Sequence, residues 1–83
     1  MVCDMTTNER DRQVTFIIVE HLGVLSVSAN GWSKELNLVS WNENPAKYDI
    51  REWADNHTRM RKGVTLTEDE LKKLSALLKD IGI

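Results

Sequence analysis

Two stretches of this chain alternate with period two, and in both the tryptophan falls on the unexpected phase. In KELNLVSWN, Leu36 and Leu38 share one phase, while Trp41 shares the other with Glu35 and Asn37. In KYDIREWA, Tyr48 and Ile50 share one phase, and Trp53 joins Lys47, Asp49 and Arg51 on the other. Successive side chains of a strand point to opposite faces, so each stretch reads as a strand with one aliphatic face and one mixed aromatic and charged face. A core tryptophan is expected to keep phase with the leucines. The pattern therefore predicts two indoles exposed on a polar, partly basic sheet face, an arrangement suited to stacking on unpaired bases.

The other segments supply the order of elements. Val14 to Val19 is β-branched and aromatic, as a strand requires. His21-Leu22-Gly23 interrupts the pattern and Val24 to Ser28 resumes it, so residues 14–28 read as one strand bent at a glycine bulge. Ala29-Asn30-Gly31 marks a turn. Lys34 to Trp41 forms the second strand, and a loop holding the only proline follows. Lys47 to Ala54 forms the third, Asp55 to Met60 reads as a polar loop, and Lys62 to Leu66 reads as a short fourth with Val64 and Leu66 facing inward.

The last element is a helix. Thr67-Glu68-Asp69-Glu70 is a capping box, with three acids at the positive end of the helix. Leu71, Leu74, Leu78 and Ile81 form an apolar stripe that Leu77 widens, and Gly82 suits a stop. Four strands followed by one helix imply an α+β domain with an antiparallel sheet over residues 14–83. Residues 1–13 are polar and aperiodic and read as a disordered tail. One helix covers only part of such a sheet, and a domain this small has little core of its own. The leucine stripe is therefore assigned to a homodimer interface, through Leu71, Leu74, Leu77, Leu78 and Ile81.

Composition removes several functional classes. A net charge of −2 argues mildly against a nucleic-acid binder, yet no acid lies between Asn56 and Thr67, where Arg59, Arg61 and Lys62 cluster. Cys3 is the only cysteine, which rules out an internal disulfide and a thiolate metal cage. The longest apolar run is too short to span a membrane, and no signal-peptide core is present, so a soluble cytoplasmic protein is expected. No GxSxG, glycine-rich phosphate loop or HExxH occurs, so no catalytic residue, cofactor or metal is assigned. His21 and His57 read as surface or hinge residues. Lys34, Lys47, Arg51, Arg59, Arg61 and Lys62 are candidate phosphate contacts, with Trp41 and Trp53 as stacking residues and Trp32 and Asn37 beside them.

The C-terminal half resembles a known family. KYDIREW, a short polar loop, and MRKGVTLTEDELKKL are similar to the transcriptional coactivators called positive cofactor 4, whose hallmarks are a strand of the type IDIREYW and a segment of the type RKGISL opening a helix. EHLGVLS and GWSKELNLVSWN resemble the small bacterial members, the YdbC type. The likeness covers about residues 14 to 82. It implies a curved four-stranded antiparallel sheet plus a helix, dimerising through helices and sheet edges. It also implies binding of single-stranded DNA with little sequence preference, and a nucleoid-associated role in transcription or DNA maintenance. Trp41 stands where the family stacks an aromatic on a base, Arg51 matches the arginine of IREYW, and Arg61 and Lys62 match the basic pair of RKG. Ala54 replaces the family's tryptophan, Trp53 takes its tyrosine place, and Val39 stands for a second-strand arginine. The expected partners are single-stranded DNA, a second copy and the transcription machinery. RNA binding, or protein docking on exposed aromatics, are the alternatives.

Overall fold

The structure, a computed structural model, describes residues 14–83. The tail and Cys3 lie outside the described residues. Strand β1 runs Phe16–Val27, β2 Ser33–Trp41, β3 Lys47–Ala54, β4 Arg59–Met60 and β5 Val64–Leu66, and helix α1 runs Glu68–Asp80. All paired strands are antiparallel, in the order β1-β2-β3, and β3 then pairs with β4 along one half and β5 along the other. The fold is α+β, an antiparallel sheet followed by one helix, as the sequence predicts.

Two details differ from expectation. The segment read as a polar loop ends in β4, where Trp53 pairs with Met60 and Ala54 with Arg59. The fourth strand is thus split, and residues 61–63 cross between its halves, with the Arg61 amide donating to the Glu52 carbonyl at 3.1 Å. Val64 does not face inward. It is 46 % exposed, while Leu66 is half-buried.

Strand β1 carries three register shifts against β2, between Ile18 and Glu20, His21 and Gly23, and Val24 and Ser26. Each bulge adds a residue to one strand and sharpens the local twist. The side chains opposite Trp41, Val39, Asn37 and Glu35 are therefore Phe16, Ile18, His21 and Val24. This spacing explains why VEHLGVLS does not alternate cleanly.

The bulges go with a strongly coiled sheet. Phe16 lies opposite Trp41 at one end of β2, and Ser33 lies opposite Trp53 at the other. An extended β2 would separate those ends by about 27 Å. The Phe16 and Trp53 rings nevertheless meet at 5.2 Å. The sheet thus brings diagonal corners together over one face, which we call the inner face. Trp53 and Met60 form its buried centre, with Phe16, Ile18 and Trp41 packed against them.

Helix α1 begins as its sequence dictates. The Thr67 hydroxyl accepts from the Glu70 amide at 3.1 Å, and the Glu70 carboxylate accepts from the Thr67 amide at 2.9 Å. Gly82, at φ 89°, ends it in the left-handed region. The helix packs mainly against β3 and β5, and none of its residues is buried. Leu71 and Leu74 are half-buried, while Leu77, Leu78 and Ile81 are exposed.

Candidate nucleic-acid interface

The inner face is where the phase argument succeeds and where its conclusion needs correction. Trp41 and Trp53 do share a face with Glu35, Asn37, Asp49 and Arg51, as the register requires. That face is the buried one. Trp53 is 1 % exposed and Asn37 is fully buried, so neither is presented to solvent. The cause is curvature: a coiled sheet closes over its own concave side, and the polar residues there are matched to one another instead of to water.

Two buried carboxylates organise the matching. Arg51 grips Asp49 with two guanidinium hydrogen bonds, at 2.7 and 2.9 Å, and the Thr65 hydroxyl donates to the same carboxylate at 3.0 Å. Glu35 accepts from the Asn37 amide at 3.1 Å and bonds His57 Nε2 at 2.8 Å, while the Asn37 carbonyl bonds His21 Nδ1 at 2.7 Å. Burial pushes the Glu35 carboxyl up. Hydrogen bonds from His57, Asn37 and Ser33, with the His57 charge, outweigh it and leave Glu35 below the ordinary carboxylate range. The indole N–H groups of Trp41 and Trp53 are buried without partners among the described residues.

Trp41 keeps partial exposure at the rim, and the Arg51 guanidinium lies 4.7 Å over its ring. Trp32 is covered instead. It is 9 % exposed, with Arg61 at 4.1 Å and Arg59 at 5.2 Å over its indole. Arg61 also pairs with Glu52 at 2.8 Å, and Arg59 with Asp55 at 3.4 Å. Lys34, Lys47 and Lys62 are exposed.

Lys34 and Lys62 line a groove of about 440 Å³ together with Arg51, Glu52 and Gly63. Its single acid, Glu52, is the one engaged by Arg61. Gly63 makes the groove. A Cβ there would collide with Arg51 Cβ and the Ile50 carbonyl, so only glycine lets the crossing segment lie this close to β3. Sequence reasoning missed the roles of Gly63 and Asp49. The signals were present: glycine between a basic pair and a strand, and an acid two residues before an arginine on one strand face. Arg51 connects the two surfaces, since it covers Trp41 and also lines the groove.

The family of Transcriptional Coactivator p15 (PC4) matches residues 28–77. This span contains β2 to β5 and most of the helix. The chain belongs to that family, which assigns it a single-stranded-DNA-binding, coactivator-type role in general terms. It is also similar to an uncharacterized protein of Treponema pallidum (strain Nichols), 47% identical over 66 residues, covering 80% of this chain and 78% of the relative. Among the described residues no helix is long and apolar enough to cross a membrane.

Proposed function

We propose that the chain is a non-catalytic homodimer that binds single-stranded DNA with little sequence preference, in transcription or DNA maintenance. The strand runs from Trp41 across Arg51 to Lys62 and Lys34. One base stacks on the part of Trp41 left open, and the lysines neutralise phosphates along the groove. The observation that carries this path is the position of Arg51, which joins the partly exposed Trp41 to a groove with an excess of lysine. Base stacking contributes about 1–3 kcal/mol per base, enough to support binding despite the negative total charge. Trp53 and Asn37 hold the inner face together and do not contact the strand.

Dimerisation is supported by apolar surface that this chain leaves open. Leu77 and Leu78 on the helix, Ile81 at its C-cap, and Ile17, Leu22 and Leu25 on the edge strand β1 are all exposed. A second copy covers them, and a wild-type chain that sediments as a monomer at micromolar concentration contradicts this.

The test is a salt titration of labelled oligo-dT with wild type and Lys62→Gln. Wild-type affinity should fall steeply with salt, and the log–log slope should flatten by roughly 0.7 in the variant. Duplex DNA should bind poorly, because paired bases cannot stack on Trp41. An unchanged slope removes Lys62 from the path, and equal binding to duplex removes the stacking step.

A further inference from the structure

Two imidazoles stand over the buried Glu35–Asn37 pair, and nothing in the binding path described above uses them. Their side chains are 50 % exposed for His21 and 40 % for His57, whereas the Glu35 side chain is 6 % exposed. The rings are 6.4 Å apart, centroid to centroid. Each ring is anchored by one nitrogen. Asn37 spends its amide on Glu35, so its carbonyl faces His21, and His21 Nδ1 must be the donor. A carboxylate only accepts, so His57 Nε2 is the donor to Glu35. The other nitrogens, Nε2 of His21 and Nδ1 of His57, have no hydrogen-bond partner among the described residues.

The backbone holds His57 in place at a cost. Asp55, Asn56 and His57 have φ of 54°, 57° and 66°, three consecutive non-glycine residues in the left-handed region. Such positions are sterically disfavoured and persist only where the surroundings hold them. Here the Thr58 amide closes the turn on the Asp55 carbonyl at 3.1 Å, and His57 is caught between Glu35 and the Trp53 ring, 5.4 Å away.

From this geometry we infer that His21 and His57 form a second, proton-linked phosphate site for the bound single strand. In their neutral forms the outer nitrogens are acceptors and have nothing to offer a phosphate oxygen. On protonation both become donors beside a fixed anchor, and each can make a charge-assisted hydrogen bond. Histidine is the side chain whose charge ordinarily changes between about pH 5 and pH 8.

The other charges facing this site do not mask the effect. On the inner face β2 contributes Glu35, and β3 contributes Asp49, Arg51 and, opposite Val39, Lys47. The two acids and two bases balance. The loop acid Asp55 is turned to Arg59, the charged residue of β4. No charged side chain of β1 stands opposite the inner-face residues of β2, where its members are Phe16, Ile18, His21, Val24 and Val27. The imidazoles therefore decide the sign of this face. It is neutral with both uncharged and carries two positive charges with both protonated. Glu35 and Asn37 are positioning residues that fix which ring nitrogen points outward.

The inference rests on the single-strand reading, and the experiment separates the two. Oligo-dT affinity is measured at constant salt from about pH 8 to about pH 5.5 for wild type, His21→Gln, His57→Gln and the double variant. Wild-type binding should tighten by about tenfold or more on acidification, and its salt slope should steepen by up to about 1.4 for two added contacts. The double variant should lose the pH dependence. In a parallel measurement on wild type, the imidazole C2–H resonances are titrated with and without oligo-dT. Bound strand should move both midpoints upward, a readout that does not depend on the variants folding. Failure to bind oligo-dT at any pH overturns the single-strand reading and this site with it. Binding that is independent of pH, or equally pH-dependent in the double variant, or unchanged imidazole midpoints, overturns this site alone.

Discussion

The two faces of this sheet exchange the roles their compositions suggest. The inner face carries Glu35, Asn37, Asp49 and Arg51 and is the better buried, with Val39, Asn37 and Asp49 all at 0 % exposure. The opposite face carries Leu36, Leu38, Tyr48 and Ile50, which stay half-buried, and Ile17 and Val64, which are exposed. Burial in this molecule follows curvature and partners, not the mean polarity of a strand face. A coiled sheet covers its concave side without help. Its convex side depends on what is laid against it, and one short helix is not enough.

The largest test of that contrast is Trp53→Ala. If the inner face is the core, removing this side chain should cost about 3–5 kcal/mol, a large share of what a small domain has. Urea or thermal unfolding reads this directly. A loss below about 1 kcal/mol would return Trp53 to the surface and undo the comparison. Asp49→Ala probes the same face through its polar half. It strands the Arg51 guanidinium, whose side chain is only 10 % exposed, and breaking such a pair costs about 3 kcal/mol. The same variant should weaken oligo-dT binding, because Arg51 then loses the support that holds it over Trp41.

Much of this was legible in the sequence, and what was missed has a physical reason. β3 was readable to the residue, because KYDIREWA alternates from Lys47 to Arg51 and is bounded by a proline loop and a polar turn. The capping box placed the start of α1. The parity of Trp41 and Trp53 was also legible, since period two is a property of any strand. Their burial was not. It depends on coiling, and coiling comes from three bulges in β1, of which only the one near Gly23 left a sign in the sequence. β4 was hidden for a related reason: its two residues pair with the far end of β3 after a left-handed turn, a non-local event that no short window reveals. The basic residues were found, but their engagement was not. Arg51 reads as a free cation beside an indole until Asp49, two residues earlier, is seen to hold it.

A smaller effect sharpens the description of the open face. Thr67→Ala removes the side-chain cap of α1 and should cost about 1 kcal/mol. The helix has no buried residue in this chain, so its local ends contribute a larger share of its order than they would in a packed helix. Helical circular dichroism at fixed temperature, compared with the unfolding midpoint, reads the two contributions. If α1 is held mainly by a second copy, the loss should shrink as protein concentration rises. A loss that is independent of concentration would show that the cap and the local packing suffice.

The smallest expected effect concerns Glu35, and its sign follows from burial and partners together. Glu35 is 4 % exposed, and its folded pKa is lowered from the ordinary 4.5, because the hydrogen bonds from His57, Asn37 and Ser33 outweigh desolvation. A carboxyl whose folded pKa lies below its unfolded value binds fewer protons in the folded state. Its contribution to stability is therefore fully present above the unfolded value and is lost as pH falls through the folded one. Glu35→Gln keeps the shape and a hydrogen-bond acceptor but removes that linkage. Stability of both proteins, measured by urea unfolding from about pH 6 down to about pH 3, should differ most at the upper end and converge at the lower. Other carboxylates affect both curves alike, so the difference isolates Glu35. A gap that stays constant with pH, or widens on acidification, would mean that the inner face does not favour the charged form, and the polar matching proposed for that face would fail at its centre.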